Sequence, residues 1–219
     1  MKLKKIFTFV SAFIFAFTLF TVNAFASEMS PTIPYLKITI FSSMHDSDGG
    51  SGPIGGHSWV QIENFAYGDD GDYVDICGYS LAPFKKVTIS VWGNLSAHQG
   101  VWYNVEVKKR ISNSNAFSSE RSYSKNTSYS SVSTINAVII NYNYYSSPSF
   151  VCSTFSALLW NSLFPDDSFS PNLITNNYTP SYLYGKIALK SGYQTNYFST
   201  FTCSSGYYDA LYGFVPSNV

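Results

Sequence analysis

Two short stretches carry the residue types that nucleophilic chemistry needs. "PIGGHSWVQI" (53–62) puts His57, one of three histidines in 219 residues, directly after two glycines and at the head of a strand-like run. "FVCSTFSALLWN" (150–161) puts Cys152, 95 residues downstream, at the head of a run with helical periodicity. A cysteine in the first turn of a helix sits beside unpaired backbone N–H groups and the positive end of the helix dipole, which stabilise a thiolate. The same N–H groups can donate to an oxyanion. Such a thiol needs a base, and histidine is the usual partner. The pair points to acyl transfer, with Cys152 as nucleophile and His57 as general base. The glycines would let a neighbouring backbone or a substrate come close to the imidazole.

These two residues must be positioned by the elements around them. "YLKITIFSS" (35–43) has strand composition, and a glycine-rich loop (44–56) follows it. "HSWVQIENF" (57–65) alternates, with Trp59, Val60 and Ile62 inward and Gln61 and Glu63 outward. "YVDICGYS" (73–80), "VTISVWG" (87–93) and "GVWYNVEVKKR" (100–110) extend this into an antiparallel meander. In the last of them Val101, Tyr103, Val105 and Val107 would share one side. Residues 112–134, rich in Ser, Asn and Tyr, read as a loop-like insertion. Ile135, Val138 and Ile139 have helical spacing. Val151, Phe155, Leu158, Leu159 and Leu163 fall on one helical stripe, bounded by Pro148 and Pro165. A short helix is predicted from Pro180 and one last strand over "YYDALYGFVP" (207–216).

The amino terminus reads as a targeting segment. "MKLKK" is a positive n-region, an uncharged apolar run follows, and Ala24 and Ala26 give an A-x-A site. Residues 1–26 are therefore expected to be a secretory signal peptide, and residues 27–219 a single domain that carries the insertion near 112–134. No later segment has eighteen consecutive apolar residues, so no membrane attachment is expected after cleavage. Taking Lys2, Lys4 and Lys5 from thirteen basic residues leaves ten against thirteen acidic ones, a net charge of −3. That balance argues against nucleic acid as a partner. A secreted, β-rich domain with many turns fits the Tyr-, Phe-, Ser- and Asn-rich, charge-poor composition; it is expected to be a monomer outside the cell or associated with its wall.

The Gly-His-Ser-Trp-Val strand followed by a Cys-Ser-Thr-Phe helix that ends in Leu-Trp-Asn resembles the circularly permuted NlpC-type cysteine hydrolases of the papain fold. In permuted members His precedes Cys, as His57 precedes Cys152. "VWGN", "GVWYNVE" and "KSGYQTN" further resemble segments of small exported bacterial proteins of this type. The resemblance implies an α+β domain with a papain-like core, its antiparallel sheet packed against the Cys-bearing helix. It implies a thiol hydrolase that needs no cofactor or metal and acts on peptide amides, including those of cell-wall peptides. It also implies a third polar residue, on the strand after the histidine, that orients the ring. Asp75 is the candidate there, and Asn94 in "WGN" is the second.

Other readings stand beside this one. Cys152 can be a small core residue and His57 a structural histidine. Cys77 and Cys203 lie in strand-like context, and an exported protein suits a disulfide between them. Pairing of Cys152 with either would remove the nucleophile. "DSDGGSGPIGGH" departs from the calcium-loop pattern at Gly50, Ser51 and His57, so no metal site is assigned. His98 reads as a surface turn residue. Tyr142, Tyr144, Tyr145, Tyr178, Tyr182 and Tyr184 could form a wall-binding face, which would suit a catalytically inactive module that binds cell wall or a protein. A secreted acyltransferase or deamidase would share the same attack step.

Overall fold

A computed structural model describes residues 35–47, 56–66, 72–147, 151–172 and 177–218. The signal-peptide segment and most of the glycine-rich loop lie outside the described residues. Ten strands are described: β1 Tyr35–Ser43, β2 His57–Phe65, β3 Val74–Ile76, β4 Tyr79–Leu81, β5 Lys86–Trp92, β6 Gly100–Tyr103, β7 Arg121–Ser128, β8 Gln194–Thr195, β9 Gly206–Asp209 and β10 Gly213–Pro216. Four α-helices accompany them: α1 Val105–Ser112, α2 Val132–Asn141, α3 Cys152–Leu163 and α4 Pro180–Ile187. Eight strands form one sheet in the order β10-β9-β6-β5-β2-β1-β7-β8. Each of its junctions is antiparallel. The protein is thus mixed α+β, with an antiparallel sheet packed against the helix that begins at Cys152.

Both faces of the sheet are covered, and the pleat sorts residues between them. Leu36, Ile38, Ile40, Val60, Ile62, Val87, Ile89 and Val91 join an aliphatic core with α2, α3 and α4. Phe41, Trp59, Trp92 and Trp102 point to the other face, where α1 and the loop through Phe117 close an aromatic cluster. This is why β2 is buried almost throughout, including Gln61, where alternation predicts an exposed side chain. His57 shares the parity of Trp59 and faces the aromatic side.

Three segments differ from the sequence expectation. The run 100–110 is not one strand. β6 stops at Tyr103, Asn104 adopts the left-handed conformation (φ 61°), and α1 begins at Val105. Asparagine tolerates that conformation better than other non-glycine residues. Its side chain fixes the corner: Oδ1 accepts the Thr88 N–H at 2.9 Å, and Nδ2 donates to the Ser204 carbonyl at 2.7 Å and the Tyr79 hydroxyl at 3.1 Å. Residues 112–134 are not a loose insertion either, because β7 lies within them and pairs with β1 along eight residues. Its polar, hydroxyl-rich composition hid a strand whose Ser124 bonds Thr39 of β1. The last expected strand is a hairpin, β9–β10, turning at 210–212.

The two elements that carry the candidate pair have local reasons to start where they do. Gly56 has φ +103°, and a Cβ there would strike the Ser43 carbonyl, so only glycine lets the chain enter β2 at His57. Val151 is extended and provides no side-chain cap to the first turn of α3, where Cys152 sits. Ser153 ties that turn to the Tyr178 carbonyl at 2.6 Å. Thr179 caps α4, accepting the Tyr182 N–H, and Pro180 takes the first helical position. The Pro180 carbonyl accepts the Ser42 hydroxyl at 2.7 Å, fastening α4 to β1.

Candidate active site

β2 and α3 bring His57 and Cys152 together. Both are buried, at 5 % and 8 % exposure. The imidazole Nε2 lies 2.8 Å from Glu106 Oε1, in α1. That engages one ring nitrogen, and the Cys152 thiol lies close enough for its charge to act on the ring. Glu106 is fully buried and accepts two further donors. Trp92 Nε1–H donates to Oε1 at 3.1 Å and the Thr88 hydroxyl to Oε2 at 2.6 Å. A buried carboxylate held by three donors on its two oxygens is fixed in orientation, and it passes that orientation to the ring. Glu106 is therefore the residue that orients His57.

Opposing effects set the protonation of the ring. Burial pushes the pKa down. The charge and hydrogen bond of Cys152, and then those of Glu106, outweigh it and raise the pKa from 6.5 to about 9. Aromatic rings complete the enclosure: Trp92 at 4.2 Å, Phe117 at 5.3 Å and Trp59 at 5.9 Å between ring centroids. Phe117 reaches this place from a left-handed backbone (φ 53°), held by its N–H to the Asp46 carbonyl at 3.1 Å. An imidazole fixed by a carboxylate, shielded by aromatic rings and set beside a thiol can take a thiol proton and hold it.

A cavity of about 390 Å³ opens on the pair, lined by His57, Cys152, Trp92, Asn94, Tyr145 and Asp46 among others. A second of about 230 Å³ reaches Cys152 from the side of Val151, Tyr178 and Pro180. A groove of about 370 Å³ between α2 and α3 is lined by Ser133, Thr134, Asn141 and Tyr142 and lies away from both residues. Among the described residues no group of three or more His, Cys, Asp or Glu is placed to hold a metal ion. None of the described helices is long and apolar enough to cross a membrane.

No protein family, curated protein or solved structure matches this chain. Its site must be read from its own geometry.

That geometry corrects several expectations. Asp75 is exposed in the separate β3–β4 hairpin, where its Oδ1 accepts the Gly78 N–H at 2.9 Å, so it cannot orient His57. Asn94 lines the cleft, but the carboxylate of Glu106 holds the ring nitrogen that an orienting residue would take. Cys77 and Cys203 are free thiols. The first belongs to the aliphatic core and points at the Asn136 carbonyl, the second packs on the aromatic cluster, and the sheet separates the two clusters. The six tyrosines do not make one face. Tyr178 is buried with its hydroxyl on the Phe169 carbonyl, Tyr184 lies under Arg121, and Tyr145 is a wall of the cleft. His98 is not free on the surface; its Nε2 donates to Asn143 Oδ1 at 2.9 Å, and its ring stacks on Tyr207.

Glu106 escaped notice because "YNVEVKKR" alternates as a strand does, which would turn the glutamate outward. One signal was present. An acid in the first turn and Lys109 and Arg110 in the last complement a helix dipole, and an asparagine precedes them.

Proposed function

We propose that this protein is an exported thiol hydrolase that opens amide bonds by acyl transfer through Cys152, with His57 as general base and acid and Glu106 as the positioning residue. The observation that carries this reading is that the buried His57, held by Glu106, lines one cleft with Cys152, which sits at the first turn of α3. The order of His and Cys, the strand that bears one and the helix that bears the other suit a permuted papain-like fold. Peptide amides, including those of cell-wall peptides, are the proposed substrates. Export, outside the cell or into its wall, rests on the signal-peptide pattern of residues 1–26.

The steps follow from the geometry. The thiol proton moves to the free imidazole nitrogen, giving thiolate and imidazolium. Sulfur attacks the carbonyl carbon, and the oxyanion meets the first-turn N–H groups of α3. The C–N bond breaks as His57 returns its proton to the leaving amine, leaving a thioester on Cys152. His57 then takes a proton from water, the hydroxide attacks, and the C–S bond breaks. Acyltransfer or deamidation would use the same first half.

The test is iodoacetamide labelling of the folded protein across pH, read at each cysteine by mass spectrometry. At neutral pH Cys152 is expected to be labelled at least tenfold faster than Cys77 or Cys203. His57→Ala is expected to remove that advantage. An inert Cys152, or one whose labelling rate ignores His57, removes the hydrolase reading and leaves a binding module.

A further inference from the structure

The thiol lies between two cavities, and only one of them contains the proton donor. The larger is lined by His57, Trp92 and Asn94; the smaller by Ser147, Val151, Tyr178 and Pro180. Cys152, Tyr145 and Gly56 line both. The Tyr145 ring lies on Gly93, where a Cβ would clash with it, so the tyrosine can take this position only over glycine.

This arrangement gives the cleft a direction. When the C–N bond breaks, the nitrogen must receive a proton from His57, so the leaving amine has to lie on the histidine's side of the sulfur. The acyl group is attached to the sulfur itself and must project the other way. We propose that the smaller cavity is the acyl subsite and the larger one the leaving-amine subsite. The substrate is then a chain that continues on both sides of the scissile amide. Its acyl residue is compact and largely apolar, matched to the Val151, Tyr178 and Pro180 walls. The larger, more polar cavity, with Asn94 at its exposed rim, takes the amine-bearing part. The assignment rests on the thiol acyl-transfer reading of the site.

The test separates the two halves of the reaction with a chosen donor and acceptor. N-acetyl-leucyl and N-acetyl-glycyl thiobenzyl esters donate the acyl group. Sulfur attacks the carbonyl, a new thioester forms on Cys152, and benzyl thiol leaves with the proton from His57. Leucinamide then competes with water: its amine attacks the thioester, gives its proton to His57 and releases the Cys152 thiolate. The acceptor occupies the leaving-amine side by microscopic reversibility. Ser147→Trp and Asn94→Trp each place a bulky ring at an exposed rim position of one cavity.

Ser147→Trp is expected to lower acylation by the leucyl ester relative to the glycyl ester at least tenfold, and to leave the ratio of leucinamide capture to hydrolysis unchanged. Asn94→Trp is expected to do the reverse. Equal effects of both variants on both ratios, or effects exchanged between them, overturn the assignment. So does a Cys152 that iodoacetamide labels but neither ester acylates. A Cys152 that iodoacetamide does not label overturns the acyl-transfer reading itself.

Discussion

Two glutamates are fully buried among the described residues, and they are used in opposite ways. Glu106, in the first turn of α1, accepts three side-chain donors, one of them the imidazole. Glu120 enters β7 and serves the chain. Its Oε1 accepts the Phe198 N–H at 2.7 Å, its backbone carbonyl accepts the Asn196 N–H at 3.1 Å, and its Oε2 faces Arg110 at 3.7 Å. The first carboxylate is bonded to a group that can change its protonation. The second is bonded to groups that cannot. Burial alone therefore does not mark a functional acid; the titration behaviour of its partner does.

The comparison breaks most sharply at Glu106→Gln. The amide keeps the shape and can still accept from Trp92 and His57, but it no longer supplies the charge that favours the imidazolium. Acylation of Cys152 by the N-acetyl-glycyl ester should fall by about 10²–10⁴, as expected when the group orienting a catalytic histidine is neutralised. A rate within a few-fold of the unmodified protein would mean that the buried carboxylate is structural, like Glu120.

The next effect concerns the ring itself. With Cys152 present the His57 pKa is raised to about 9, mainly against burial. Cys152→Ala removes the strongest raising influence and leaves burial in place, so the His57 midpoint, followed by ring-proton NMR, should fall. Stability carries the same sign. A pKa raised in the folded state contributes stability that is complete below about 6.5 and lost as pH rises through about 9. The urea midpoint should decline between those values and do so less in Cys152→Ala. An unshifted His57 midpoint would dissociate the thiol from the ring.

How much of this was legible beforehand differs between the partners. Cys152 and His57 announced themselves, because a helical stripe bounded by prolines and a glycine pair before an alternating run are local signals. α2 and α4 were legible for the same reason. Glu106 was not, since its place depends on a left-handed Asn104, and that conformation is held by Thr88, Tyr79 and Ser204 from other parts of the chain. β7 was hidden because its serines and asparagine suit a loop by composition and become a strand only against β1. Asp75 looked eligible because the resemblance places the orienting residue on the strand after the histidine, but the hairpin that carries it left the main sheet.

Thr88→Val sharpens the comparison at a smaller scale. The backbone of Thr88 holds the Asn104 corner and its hydroxyl holds Oε2, so valine removes only the second function. One hydrogen bond of about 0.5–1.5 kcal/mol corresponds to acylation slower by roughly two- to thirteenfold. Thr88→Ser should restore the rate. Failure of serine to rescue would place the effect in packing rather than in the carboxylate.

Glu120→Gln should do least at the thiol. Glutamine still accepts the Phe198 N–H, while Arg110 loses its ion-pair partner but keeps the Ala116 carbonyl. Arg110 is partly exposed, so its charge can turn to water, and the cost should be about 1 kcal/mol, or roughly 2–4 °C in Tm for a chain of this size. The alkylation rate of Cys152 should stay within twofold. One helix makes this a real risk, because α1 carries Glu106 in its first turn and Arg110 one turn further on. If the alkylation rate falls together with Tm, Arg110 and Glu120 are the far anchor of the same helix that aims Glu106. If only Tm falls, the Asn104 corner and the Thr88 hydroxyl are sufficient to hold the carboxylate on the histidine.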